Sequence, residues 1–322
     1  LRPLPAPALS SAPVAAGTAP AGEQGASLKD WVAGARPRTL PAAVPVVVGT
    51  AAGWWLRPAG QGGVVWWRAA AALVVALAVQ VGTNYANDYS DGVRGTDERR
   101  VGPLRLVGSG LASPGSVRLA AWLSYAVAGL AGLALAAATS WWLVPVGAAC
   151  VAAGWLYTGG PRPYGYLGLG ELFVFAFFGV VATVGSSYVQ CLHLWTSGYH
   201  GLLALWASIP VGLLATALLE ANNLRDIAGD TVSKKRTLAV RLGRKGAGWL
   251  YAGSLAGVVV GIVVVAVARP WALLALAAAP LAVRPLRATL SPAEGRELLP
   301  VLAGTGRLQL AVGILLTVGI VL

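Results

Sequence analysis

AAAALVVALAVQVGTNYANDYSD, residues 69–91, joins an apolar run of bilayer length to a cluster of amides and carboxylates. A helix needs about 17–25 mostly apolar residues to cross the hydrocarbon core of a membrane. Helical geometry then places the cluster: Asn84, Asp88 and Asp91 stand at i, i+4 and i+7 and share one face. A second stretch repeats the design. In ALLEANNLRDIAGD, residues 217–230, Asn222, Asp226 and Asp230 stand at i, i+4 and i+8, again on one face. Each cluster is followed by a basic, glycine-containing loop. About four apolar segments separate the two, which suggests related halves, an arrangement common in membrane folds.

The rest of the chain agrees with the first stretch. Of its 322 residues 57% are apolar and only 11% charged, and its mean hydropathy is +0.68. These values lie outside the usual range of soluble globular domains, and a soluble protein so composed would expose large apolar patches. The sequence therefore predicts an all-α integral membrane protein with about nine transmembrane helices. They fall near 40–56, 69–90, 117–138, 140–157, 168–190, 201–226, 247–267, 271–289 and 302–322. Residues 1–27, rich in Pro, Ala, Gly and Ser, predict a disordered arm, and 28–322 a transmembrane domain.

A net charge of +12 does not point to nucleic acid here, because the cations sit in short loops between apolar runs. In that position they set topology and meet anionic lipid headgroups. Lys and Arg concentrate on the side shared by the N-terminus and the even-numbered connections. Trp54, Trp55, Trp66, Trp67, Trp141, Trp142, Trp195 and Trp271 mark the other side, as interface anchors do. The expectation is a multi-pass protein of the cell (plasma) membrane. Its N-terminus and both acidic helix ends face the cytoplasm, and its C-terminus lies outside. Cys150, Cys191, His193 and His200 show no metal-ligand spacing and no disulfide framework.

The acidic residues carry the chemistry. Only 12 are present, and ionisable groups at membrane depth are costly and usually functional. Carboxylates held together repel unless a cation sits among them. A site of hard oxygen ligands without His or Cys favours Mg²⁺. Asp88, Asp91, Asp226 and Asp230 are accordingly the candidate catalytic residues, and together with Asn84 the candidate metal ligands. Mg²⁺ prefers a few carboxylates plus substrate phosphate oxygens, and the neighbouring cations suit a diphosphate. Arg94, Arg99, Arg100 and Arg105 follow the first face; Arg225, Lys234, Lys235 and Arg236 flank the second. With Asn84 and Asn222, the residues Arg94, Arg105, Arg225 and Lys235 form the candidate diphosphate-binding set. No GxxxxGK[ST] loop is present, so nucleotide hydrolysis has no support. A diphosphate at the mouth of an apolar bundle implies a lipid for the remainder of the substrate.

Five segments, ARPRTLPAAVPVVVGTA at 35, NYANDYSDGVRGTD at 84, RVGPLRLVGSG at 100, YTGGPRPYGYLGLGELFVFAFFG at 157 and NNLRDIAGDTVSKKRTLAVRLG at 222, carry a resemblance that covers residues 30–322. The chain resembles the UbiA-type intramembrane prenyltransferases, and within them the 1,4-dihydroxy-2-naphthoate polyprenyltransferases of menaquinone synthesis. The two Asp motifs point to the superfamily, and the 157–179 and 222–243 segments to the naphthoate branch. The resemblance implies transfer of a polyprenyl group from polyprenyl diphosphate onto 1,4-dihydroxy-2-naphthoate, with loss of the ring carboxylate as CO₂. It implies Mg²⁺–diphosphate binding by Asn84, Asp88, Asp91, Asp226 and Asp230, supported by Asn222, and diphosphate binding by Lys235.

Arg36 and Arg38, at the start of the first span, read either as flank charges or as holders of the acceptor carboxylate. Tyr157, Tyr164 and Tyr166 read either as interface aromatics or as walls of the acceptor pocket that steady a cation. Glu171, inside the fifth span, reads as the partner of an arginine. Two alternatives stand beside the main reading: the same chemistry on another acceptor, such as 4-hydroxybenzoate or homogentisate, and cation transport through intramembrane acids.

Overall fold

The computed structural model describes residues 25–58, 62–96, 104–193 and 198–322, and among them every regular element is helical. Most of the expected arm, together with Asp97, Glu98, Arg99, Arg100 and Trp195, lies outside the described residues. A short amphipathic helix, α1 (Leu28–Gly34), opens the bundle; Ser27 caps it in a reciprocal box with Asp30. Then come α2 (Val44–Trp55), α3 (Trp66–Val93), α4 (Pro114–Ala138), α5 (Leu143–Leu156), α6 (Gly170–Val174) and α7 (Ala182–Cys191). The chain finishes with α8 (Leu203–Val232), α9 (Leu238–Ala268), α10 (Pro280–Leu290) and α11 (Leu299–Val321). In lipid a helix is the only open segment that satisfies its own backbone.

All nine expected segments are helical, but they differ in reach. Among the described residues six helices are long and apolar enough to cross a membrane: Trp66–Val93, Pro114–Ala138, Gly170–Cys191, His200–Val232, Leu238–Ala268 and Gly295–Val321. A seventh crossing is formed if the bent pair Pro270–Ala278 and Pro280–Leu290, which meet at 53°, counts as one. The expected spans at 40–56 and 140–157 contain α-helices of 12 and 14 residues, short of the length needed. Proline accounts for the first. Pro37 and Pro41 hold residues 37–43 in a 3₁₀ turn, and α2 begins only at Val44. Glycine accounts for a different departure: Gly243, at φ 69°, breaks Leu238–Ala268 near its start.

Helices α2, α8, α9 and α11, with the 3₁₀ segment Pro270–Ala278, share the main apolar core. Small residues let them approach closely, the usual solution where lipid removes the hydrophobic drive between helices. A Cβ on Gly49 of α2 would lie 2.2 Å from the Thr183 carbonyl oxygen of α7, so that crossing is made at backbone distance. Helices α6 and α7 are joined without a break by a π-helical turn, Phe175–Val181. This turn rests on α8 at Gly179 and Gly212, where a Cβ on Gly179 would lie 2.7 Å from the Gly212 Cα.

Candidate active site

A cavity of about 910 Å³ runs between α3, α5, α7 and α8. Along α3 it reaches from Ala72 to Asp91, about 29 Å at 1.5 Å per residue. Its walls are apolar over most of that length, with Val75, Val79, Leu135, Leu143, Phe177 and Val181 among the lining side chains. One end is polar. There Asn84, Asn87 and Asp91 of α3 face Asn222, Asn223, Asp226 and Asp230 of α8 across the same space, with Arg36, Arg105 and Lys235 at the rim. The two Asp-bearing faces read from helical spacing thus converge on one cavity, except that Asp88, expected among the metal ligands, turns to the covering loop.

The first face is wired to the loops that cover it. Asp88, buried, is absent from the cavity wall; its oxygens accept the backbone N–H groups of Leu106 at 2.7 Å and Val107 at 3.1 Å. It acts as a staple for the segment after residue 103. Leu106 then fills the space beside Gly34 and Tyr85. Asp91 collects three donors: the Tyr166 hydroxyl at 2.7 Å, Lys235 Nζ at 3.1 Å and Arg105 at 3.4 Å. Two of the cations expected to bind diphosphate, Arg105 and Lys235, are therefore held at the mouth by an aspartate. Asn84 donates to the Ala35 carbonyl at 2.9 Å and the Thr39 hydroxyl at 3.1 Å, which ties α3 to the chain entering α2.

Tyr166 is the hub of this end. Besides its bond to Asp91, its ring lies 4.8 Å from Lys235 Nζ and 5.6 Å from the Arg94 guanidinium, a cation–π arrangement on both charges. Its carbonyl accepts from Arg236 N–H at 3.0 Å. Burial, and then the neighbouring Asp91 carboxylate, push the Tyr166 hydroxyl above its usual range, so it stays a donor at neutral pH. Sequence reading treated it as one of three aromatics of open role; its contacts with the end of α3 and with the connection after α8 become visible only in the fold.

The other candidates divide. Arg36 lines the cavity with its backbone in the left-handed region at φ 55°, whereas Arg38 lies outside the lining. Arg94 donates to the carbonyls of Thr158 and Gly160 and so braces the α5–α6 connection. Arg225 makes a two-pronged pair with its neighbour Asp226, both contacts at 2.7 Å, and does not line the cavity. Tyr157 and Tyr164 line the cavity with Phe173. Their ring centroids are 5.5 Å apart, and Tyr164 stacks on Phe173 at 4.0 Å. Glu171, expected beside an arginine, instead accepts from Asn223 Nδ2 at 2.9 Å. Asn87, Asn223, Phe173 and Phe177 were not singled out from sequence; the only signals were an Asn beside each motif and the i, i+4 spacing of the phenylalanines.

The donor set suits a hard cation. Every candidate metal ligand at this end offers oxygen, and among the described residues no three His, Cys, Asp or Glu side chains are grouped so that they alone could hold a metal ion. Carboxylates spread over two facing walls fit an ion that keeps waters and takes substrate phosphate oxygens.

Comparison with known proteins agrees with this geometry. The UbiA prenyltransferase family is matched over residues 46–298. The 1,4-dihydroxy-2-naphthoate octaprenyltransferase of Mycobacterium tuberculosis is 53% identical over 283 residues, spanning 87% of this chain and 93% of that protein. Its counterpart of the same name in Escherichia coli is 36% identical over 305 residues, 91% of this chain and 95% of that one. Among solved structures, a UbiA homologue from Aeropyrum pernix K1 aligns with a TM-score of 0.63 at 16% identity, over 88% of this chain and 96% of that chain. A UbiA homologue from Archaeoglobus fulgidus bound to DMAPP and Mg²⁺ aligns at 0.50 and 15%, over 90% of this chain and 99% of that chain; at such identities the likeness concerns the fold. An all-helical membrane bundle with two facing Asp motifs over an apolar cavity, matched along most of its length, belongs to the UbiA prenyltransferase family.

Proposed function

We propose that this chain transfers a polyprenyl group from polyprenyl diphosphate to 1,4-dihydroxy-2-naphthoate with decarboxylation, yielding the precursor of menaquinone. The observation that carries the reading is the single cavity whose polar end gathers Asp91, Asp226, Asp230, Arg105 and Lys235 and whose remaining walls are apolar. An anionic headgroup fits one end and an isoprenoid tail the other. The names of its relatives support the same acceptor and donor class.

In this reading Asp226, Asp230 and Asp91, with Asn84 and Asn222, would hold Mg²⁺, and Asp88 fixes the covering loop. Bound Mg²⁺ would supply electrostatic stabilisation of the departing diphosphate. Lys235 and Arg105, kept in place by Asp91, donate hydrogen bonds to the diphosphate oxygens as charge develops on them. The C–O bond of the donor breaks and its electron pair leaves with the diphosphate. The ring carbon bearing the carboxylate forms the new C–C bond, and the electrons of the C–CO₂⁻ bond restore the aromatic ring as CO₂ departs. Tyr157, Tyr164 and Phe173 present ring faces to the cationic allyl group, and the apolar walls exclude the water that would trap it. Arg36 takes the acceptor carboxylate.

By the distribution of Lys and Arg we further infer that the polar mouth faces the cytoplasm, with the N-terminus on the same side, in the plasma membrane. Grouping of the acids at one end, among cations, favours an anionic ligand over ion transport, which calls for carboxylates near the bilayer midplane. The test is turnover by the purified protein with one polyprenyl diphosphate and either dihydroxynaphthoate or 4-hydroxybenzoate. Prenylated product and CO₂ appear with the first; product with the second alone sinks the acceptor assignment.

A further inference from the structure

The two adjacent asparagines at the start of the second motif are held by different partners, and this sets what each shows to the cavity. Asn222 Nδ2 donates one turn back to the Leu218 carbonyl at 3.1 Å. Asn223, about 100° further round α8, donates Nδ2 to Glu171 Oε1 of α6 at 2.9 Å, with both residues buried. A carboxylate oxygen accepts, so the amide edge that meets it is the nitrogen. The carbonyl Oδ1 of Asn223 is then left, takes no hydrogen bond among the described residues, and belongs to a side chain that lines the cavity.

Its surroundings are aromatic. Gly170 precedes Glu171, and a Cβ built on it would lie 3.2 Å from Tyr157 Cε2 and 3.2 Å from Leu219 Cδ2. The bare glycine lets α6 come close to both Tyr157 and α8, which brings Glu171 within reach of Asn223. Tyr164 and Phe173 stack on the same wall. A lone carbonyl acceptor at the edge of ring-lined space matches an aromatic ring bearing a hydroxyl.

We propose that Asn223, oriented by Glu171, accepts a hydrogen bond from a ring hydroxyl of the acceptor and thereby selects hydroxylated aromatics. The inference rests on the acceptor class proposed above. Asn223 is the specificity-determining residue and Glu171 its positioning residue. The bond does chemical work as well. An O–H drawn toward Oδ1 leaves more electron density on its oxygen, and through the ring on the neighbouring carbon that attacks the allyl group.

The experiment compares kcat/KM for dihydroxynaphthoate with that for its mono-O-methyl ethers, which keep the electron-donating oxygen and lose one O–H. The wild-type protein should prefer the free hydroxyl by about 10-fold to 100-fold for one of the two ethers. Asn223→Ala should bring that preference to within about 3-fold, and so should Glu171→Leu, which leaves Asn223 in place but frees its amide to rotate. Glu171→Gln, whose Oε1 still accepts from Asn223, should restore it. A methyl group that merely clashed with Asn223 would leave Glu171→Leu discriminating like the wild type, and that result overturns the proposal. An unchanged preference in Asn223→Ala, in protein with the wild-type thermal midpoint, overturns it too. Absence of wild-type turnover with dihydroxynaphthoate would instead remove the acceptor reading beneath it, whereas turnover with unaltered preference removes this inference alone.

Discussion

The end of α3 and the end of α8 carry the same kind of sequence, an asparagine followed by two aspartates on one helical face, yet they are connected differently. On α3 the carboxylates bind protein: Asp88 holds two backbone N–H groups of the covering loop, and Asp91 holds Tyr166, Lys235 and Arg105. On α8 Asp226 pairs with its own neighbour Arg225, and Asp226 and Asp230 both stand in the cavity wall. One motif sends Asp88 to the covering loop and Asp91 to the cavity; the other sends both of its aspartates to the cavity. Similar spacing therefore delivers a similar face, and the loops decide what that face does.

Five substitutions and one removal test this contrast. The largest effect is expected on the α8 side: Asp226→Asn, which keeps an acceptor for the buried Arg225 guanidinium, should lower kcat about a thousandfold or more while the thermal midpoint in detergent holds. Retained turnover at saturating Mg²⁺ would show that the metal assignment is wrong. Chelation with EDTA should likewise stop transfer, with recovery on adding Mg²⁺ in a timed product assay. On the α3 side Asp88→Ala should cost stability as well as rate. It orphans two N–H groups in a buried place, for about 3 kcal/mol, read as a lowered unfolding midpoint and faster proteolysis after residue 103. Equal stability in the Asp88 and Asp226 variants would erase the distinction between the two motifs. Tyr166→Phe removes one donor to Asp91 and should reduce kcat/KM for the prenyl donor about 10-fold. Smallest is Arg38→Ala, expected within about 2-fold of wild type because a solvated flank charge contributes little. Arg36→Ala, by contrast, should raise the acceptor KM about 10-fold.

Much of this was legible from residues 69–91 and 217–230 alone, because helical spacing fixes which side chains share a face and hydropathy fixes which segments meet lipid. What escaped depends on contacts remote in sequence. Asp88 could be placed on the right face, but nothing local says that the N–H groups of Leu106 and Val107 return to meet it. Glu171 was recognisable as a buried acid in need of a partner. That the partner is Asn223 rather than an arginine follows from how closely Gly170 lets α6 approach α8. The lengths of α2 and α5 were overestimated for the opposite reason: composition marks Pro41, Trp141 and Trp142 as compatible with a span, while the local backbone turns there.

The π-helical turn at Phe175–Val181 has a consequence for how such a protein can change over generations. A turn with i→i+5 bonds houses one residue more than an α-helix of the same length, so the part before it is rotated by about 100° relative to a plain helix. Phe173, beside the ring-lined end, and Val181, Ala182 and Gly185, along the apolar stretch, thereby reach a common cavity from one helix. Deleting a single residue from this turn would swing one group away and leave the other. Insertion and deletion, more than substitution, are thus the genetic events that can re-pair a headgroup pocket with a tail groove in this helix.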